Sequence, residues 1–155
     1  MEEKTNVMRL LDKMKIDYLS YSYRDTAAIS GVEVAEALQQ DPKRVFKTLV
    51  TVGKSKKNYV FLIPAAAELE LKKAAQSVNE KAIEMIKAKE LLPLTGYVHG
   101  GCSPIGMKKT FPTIIDASAA TFDTIIFSAG KIGYQLEMSL DSLKKMINFR
   151  LAEII

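Results

Sequence analysis

Cysteine is almost absent from this chain of 155 residues: Cys102 stands alone, and tryptophan is missing altogether. One thiol excludes an internal disulfide and a cysteine-based zinc site. A single histidine, His99, excludes a His-rich metal site as well. No apolar run approaches the ~20 residues that cross a bilayer. The start, Met1-Glu2-Glu3-Lys4-Thr5, lacks the apolar centre of a signal peptide, so a cytoplasmic protein with no membrane partner is expected. Arginine is scarce, at four of the 22 basic residues. The net charge of +4 is mild, and the Lys-Lys pairs at 56–57, 72–73, 108–109 and 144–145 are scattered along the sequence. A dedicated nucleic-acid binder concentrates its charge and uses arginine for bidentate phosphate contacts. Here the lysines read as solvated faces, suited at most to a weak polyanion contact.

What is present is an ordinary globular composition, 48% apolar and 26% charged, in a length that predicts one domain over 1–155 with a sizeable core. Val7, Leu10, Leu11 and Met14 fall at i, i+3, i+4, i+7, an amphipathic helix. Residues 18–23 read as a short strand. Ser30-Gly31-Val32-Glu33 has the form of a capping box opening a second helix through Leu38, which Asp41-Pro42 breaks. Residues 44–52 and 59–64, β-branched and apolar around a polar turn, predict a hairpin. Helices are expected at 69–76 and, in two short pieces, over 80–91. Strands are expected at 97–99, 113–116, 124–128 and 135–138, and a final helix from near Asp141 through Leu151. Helices and strands alternate without a βαβ repeat. The fold class is therefore mixed α/β, with a mainly antiparallel or mixed sheet curled toward a barrel.

Three stretches could carry chemistry. Gly100-Gly101-Cys102-Ser103-Pro104-Ile105-Gly106 packs three of the eight glycines and a proline into seven residues, which suits close approach of main chain to a ligand or simply a long turn. In Val45-Phe46-Lys47-Thr48-Leu49-Val50, Lys47 shares a strand face with Val45 and Leu49, and neither face is polar. A lysine there must reach an edge, pair with a carboxylate or line a wet cavity. Ser128-Ala129-Gly130-Lys131-Ile132-Gly133 matches no phosphate-binding motif and reads as a hairpin turn. His99 and Cys102 are three residues apart, but nucleophile and base usually come from separate elements, and no third orienting residue is evident. A strand-end histidine and a buried small thiol explain them without chemistry.

Taken in order, Val45–Leu49, Gly100–Gly106 with Lys108-Lys109, Pro112–Asp116 and Ser128–Lys131 resemble the YbaK/EbsC family, whose members are similar to the editing domain inserted in bacterial prolyl-tRNA synthetases. The resemblance runs from about residue 5 to 150. It implies a trans-editing deacylase acting at the 3′ end of aminoacyl-tRNA, removing cysteine from Cys-tRNA(Pro) and leaving Cys-tRNA(Cys) open as a second substrate and prolyl-tRNA synthetase open as a partner. It implies a barrel-like core with surrounding helices, no cofactor and no metal. Lys47 matches the family's essential lysine. Tyr23, Thr48, Gly100, Gly101, Ser128 and Gly130 match its binding residues. Main-chain groups near Gly101 would complete an oxyanion-hole-like environment. Ser30 and Gln135 depart from the aromatic residue and the aspartate that some members carry, which bears on pocket shape and amino-group recognition. A non-catalytic tRNA-binding or regulatory module, or a deacylase for another small amino acid such as alanine, are the alternative readings. The sequence leaves the oligomeric state open.

Overall fold

The computed structural model describes residues 3–155. Thr5 caps the first helix, α1 (Asn6–Lys13), by accepting from the Met8 amide, and Val7, Met8 and Leu11 are its buried face. β1 (Leu19–Ser22) follows, then α2 (Gly31–Ala37), opened by the full capping box of Ser30 and Glu33. A 3-10 turn at Pro42–Arg44 leads into the hairpin of β2 (Phe46–Gly53) and β3 (Asn58–Pro64). Next come α3 (Leu71–Ser77), β4 (Ile83–Met85), α4 (Ala88–Thr95), β5 (Thr113–Asp116), β6 (Ile125–Ser128), β7 (Tyr134–Met138), α5 (Leu140–Lys144) and β8 (Arg150–Ala152).

Three secondary-structure expectations need correction. Residues 83–85 form a strand antiparallel to the end of β2, where helix was expected. Residues 97–99 form no strand: the Thr95 hydroxyl accepts from the Tyr97 amide, the Thr95 carbonyl accepts from Lys108, and the chain turns. The last helix stops at Lys144, since Met146 and Ile147 both donate to Leu143, and residues 150–152 pair in parallel with β5.

The strands form two sheets, β1-β7-β6 and β4-β2-β3-β5-β8. Four strand pairings are antiparallel, and β3–β5 and β5–β8 are parallel. The sheets do not close into a barrel. Among the described residues they meet through one isolated parallel bridge, Val45 to Ile126. Strand alternation divides the interior. Phe46, Val50, Val60, Leu62 and Ile115 of the large sheet face Ile125, Phe127, Tyr134, Leu136 and Met138 of the small one, with α1 and Ile105 completing this main core. The other face of the large sheet, with Phe61, Ile63 and Ile114, packs on Ala74 and Ala75 of α3. A third, small cluster of Ala35, Val45 and Ile126 seats α2 on the outer side of the seam between the sheets. Asp116 fixes the end of the chain: its carboxylate is 3% exposed and accepts from the Ile154 and Ser118 amides at 3.0 and 3.1 Å. No helix among the described residues is long and apolar enough to cross a membrane.

Candidate functional site

The seam sets the site. Val45 and Ile126 are bridged in parallel and both lie against Ala35 of α2, on the outer face. Two residues further along each strand the side chains return to that same face, so Lys47 and Ser128 stand level with each other. Ser128 pairs with Gln135 across β6–β7, and Gln135 pairs with Tyr21 across β7–β1. Paired residues point to one side of a sheet. A single cross-strand row therefore reads Lys47, Ser128, Gln135, Tyr21. Lys47 is half-buried, and its ammonium makes no hydrogen bond or ion pair among the described residues. Thr48 points the other way: its ladder partner Leu62 belongs to the main core, and its own hydroxyl is buried without a hydrogen-bond partner. The structure does not bring that side chain to the row.

Each member of the row is held by neighbours. Ser128 accepts from the Gly130 amide at 3.1 Å, which leaves its hydroxyl proton free to donate. Gln135, 5% exposed, accepts at Oε1 from Nε2 of Gln40 at 2.8 Å, so its own amide N–H groups are directed elsewhere. The side-chain carbonyl oxygen of Gln40 is buried without a partner among the described residues. Tyr21 donates to Glu137 Oε1 at 2.6 Å; that bond, then burial, raises the phenol above its ordinary range. Glu137 also accepts from Thr124 at 2.6 Å and pairs with Arg44 at 3.1 Å, while Arg44 reaches the Thr124 carbonyl at 3.2 Å. Burial pushes the Glu137 carboxyl up, but the Thr124 and Tyr21 hydrogen bonds and the Arg44 charge outweigh it and hold it below the usual carboxylate range.

Tyr23 extends the row's end. Its amide donates to the Gly133 carbonyl at 2.8 Å, continuing the β1–β7 ladder, so its ring lies on the Tyr21 side. It is 8% exposed yet belongs to none of the three hydrophobic clusters, and its hydroxyl makes no hydrogen bond among the described residues. Ser30 sits at the exposed N-terminus of α2 with its hydroxyl committed to the Glu33 amide. Gly31 is required there: a Cβ would lie 2.7 Å from that of Ala65. Ala65 donates to the Val45 carbonyl, which places the start of α2 beside Lys47.

The glycine run reaches the site at the hairpin tip. A Cβ on Gly101 would stand 3.1 Å from the Ile132 amide nitrogen, so Gly101 lets two main chains touch. Its N–H donates to the Val98 carbonyl at 3.0 Å. The expected oxyanion donor at Gly101 is thus already occupied, and the residue supplies proximity instead. Gly100, at φ +86°, packs on the Ile132 side chain. Gly130, at φ +90°, faces Val7 and Tyr97 on the inner side. Its amide, not its vacant Cβ, serves Ser128. Cys102 is buried in the main core, and burial pushes its thiol up to about 12, while His99 is exposed and forms no hydrogen bond with it. They are not a catalytic dyad.

Four residues of this face escaped the sequence reading. Tyr21 carried a signal, since strand alternation places it with Tyr23. Gln40, Arg44 and Glu137 carried none, because their roles depend on pairings between distant segments.

Residues 26–146 match the model of the aminoacyl-tRNA editing domain. An Enterococcus faecalis protein provisionally assigned as Cys-tRNA(Pro)/Cys-tRNA(Cys) deacylase EbsC is 43% identical over 154 residues, covering 99% of this chain and 94% of that one. The solved structure of a provisional trans-editing enzyme for prolyl-tRNA synthetase superposes with a TM-score of 0.81 at 19% identity, covering 99% of this chain and 98% of that one. The hypothetical protein APE2540 superposes at 0.84 with 18% identity, covering 97% and 99%. These two structural matches establish the fold, and the family match and the Enterococcus relative establish membership: the chain belongs to the aminoacyl-tRNA editing domain family.

Proposed function

We propose that this chain is an aminoacyl-tRNA deacylase that removes cysteine from mischarged tRNA(Pro), with Lys47 as its catalytic group. The observation that carries this is an ammonium without a partner among the described residues, level with Ser128 on one face of the seam. A partly buried ammonium with no protein partner is free to meet a negatively charged group on a ligand. An aminoacyl ester offers that partner, because its carbonyl oxygen gains negative charge as it is attacked. Lys47 stabilises that charge, Ser128 donates its free hydroxyl proton to an ester or ribose oxygen, and Gln135 positions the amino acid with its amide.

The row's one small hydroxyl, that of Ser128, is a weaker nucleophile than a thiol, which supports attack by the substrate's own sulfur. The cysteine sulfur bonds to the carbonyl carbon, the ester C–O bond breaks, and the thiol proton passes to the leaving ribose oxygen. The resulting thiolactone is opened by water to free cysteine. Holding sulfur against carbon uses proximity. A second hydrolytic site answers the physical difficulty that cysteine and proline are close in volume, which limits discrimination at a synthetic site.

The test is deacylation of Cys-, Ser- and Ala-tRNA(Pro). Cysteine is expected to leave fastest, and Lys47→Ala to lower kcat by ~10²–10³, the loss typical of one oxyanion donor. Equal rates for Cys and Ser would remove thiol assistance. An unaffected Lys47→Ala enzyme would remove Lys47 from the chemistry, and no release from any of the three tRNAs would overturn the deacylase.

A further inference from the structure

The Lys-Lys pairs look dispersed in the sequence, but the fold brings two of them together. A cleft of about 340 Å³ opens between the segment after the glycine run and the end of α5, walled by Lys109, Thr110, Phe111, Lys144, Lys145 and Asn148. No carboxylate among the described residues lines it. Lys109, Lys144 and Lys145 form no ion pair among the described residues, and Asp141, the nearest acid along the chain, does not reach them. Lys144 holds its ammonium 5.8 Å from the Phe149 ring centroid.

Two other clefts are built differently. One, of about 450 Å³, includes Lys4, Arg9, Lys108 and Lys131; Lys4 and Lys131 are paired with Asp12 and Glu3, and Glu3 itself stands in the wall. The other contains Glu3 and Asp25 beside Arg24. Of the three, the 340 Å³ cleft is the one whose described wall carries cations and no carboxylate. Its concave shape, hydroxyl and amide groups and an aromatic ring suit a chain of phosphates with exposed bases.

Position supplies the second argument. Pro104 and Gly106 form part of this cleft's wall. Gly101, at the start of the same run, touches the hairpin tip just beyond Ser128. Three extended residues span at most ~10 Å, about the rise of two or three nucleotides of one strand. The cleft wall thus lies within about 10 Å of the hairpin tip that follows Ser128, within reach of the phosphates upstream of an RNA 3′ end held at Lys47.

We propose that the cleft of Lys109, Lys144 and Lys145 docks the phosphate backbone of the RNA just upstream of its 3′ end. The inference rests on the deacylase reading for the direction of the strand, but its test does not. Uncharged tRNA is titrated against the full chain, the triple variant Lys109→Gln/Lys144→Gln/Lys145→Gln, and a charge-matched control, Lys54→Gln/Lys56→Gln/Lys57→Gln, in the β2–β3 turn. The cleft variant is expected to raise Kd tenfold or more and to flatten the slope of log K against log salt by about 2, with the control near wild type. Equal loss in both variants would mean diffuse attraction and overturn the cleft, as would unchanged binding by the cleft variant. In parallel, hydrolysis of the cysteinyl ester of adenosine, which has no upstream phosphate, should be the same in all three proteins. If the wild type releases no amino acid from Cys-, Ser- or Ala-tRNA(Pro) while the cleft variant still loses tRNA, the deacylase reading fails and the docking surface stands.

Discussion

Cys102 is 8% exposed against the main core, and burial pushes its thiol from an ordinary value near 9 up to about 12. Nucleophilic thiols are lowered by nearby positive charge, not raised. The sign of its pH linkage follows directly. The unfolded chain releases this proton near pH 9 while the folded chain keeps it, so the stability contribution is whole below pH 9 and is lost as pH rises toward 12. Tyr97 adds to the same trend, its phenol being pushed to about 12 first by burial and then by the Cys102 charge. Native protein at pH 8 is therefore expected to resist alkylation by iodoacetamide, with rapid labelling on unfolding. Cys102→Ala should keep full deacylase activity and show a shallower loss of Tm between pH 9 and 12. An inactive Cys102→Ala variant of normal stability would place the thiol in the mechanism after all. Lys47 was legible at this scale because an ammonium in the middle of an apolar strand has few places to go. The direction of the Thr48 side chain was legible in principle too, since alternation alone sends it to the face opposite Lys47.

At the scale of elements, the start of α2 separates capping from shape. Ser30 and Glu33 satisfy each other's main-chain amides at 3.2 and 3.1 Å. Ser30→Ala removes one such bond and is expected to cost about 1 kcal/mol, a Tm drop of roughly 2–4 °C, with kcat little changed. Gly31→Ala is different, because the new Cβ meets Ala65 at 2.7 Å and α2 must move off the seam beside Lys47. Thermal melts and single-turnover deacylation should separate the two: Tm alone falls for Ser30→Ala, and Tm and rate fall together for Gly31→Ala. A Gly31→Ala enzyme of normal rate would detach α2 from the site. The capping box, the β2–β3 hairpin and α1 were readable because their signals are local. Residues 83–85 and 150–152 were not, since each is a short segment made into strand by its partner: β2 for the first, β5 for the second. Leu143, Met146 and Ile147 keep helical spacing past Lys144, yet the chain unwinds to place Ile154 against Asp116.

At the scale of the molecule, the site is divided between two sheets. Lys47 belongs to the large sheet, and Ser128, Gln135 and Tyr21 to the small one. No pattern in the sequence could announce this, because the row exists only through the pairing of Val45 with Ile126. One isolated bridge is a slight tether, and the Arg44–Thr124–Glu137–Tyr21 network reinforces it from segments on both sides of the seam. Glu137→Gln keeps the shape of that side chain but discharges the partner of Arg44. The side chains are 31% and 13% exposed, so the pair is partly screened, and losing a charge-assisted bond there should cost about 2 kcal/mol. That corresponds to a Tm drop of roughly 4–8 °C. Because the Glu137 carboxyl is held below its ordinary value of 4.5, its stabilisation is present above that pH and lost as the pH falls below it. The variant should therefore show a flatter acid limb as well as a lower plateau. If the seam positions Lys47 against Ser128, kcat on Cys-tRNA(Pro) will fall by more than the loss of folded protein explains, while KM stays close to wild type. A lower Tm with an unchanged kcat at permissive temperature would mean that the single backbone bridge holds the row in register without help from its side chains.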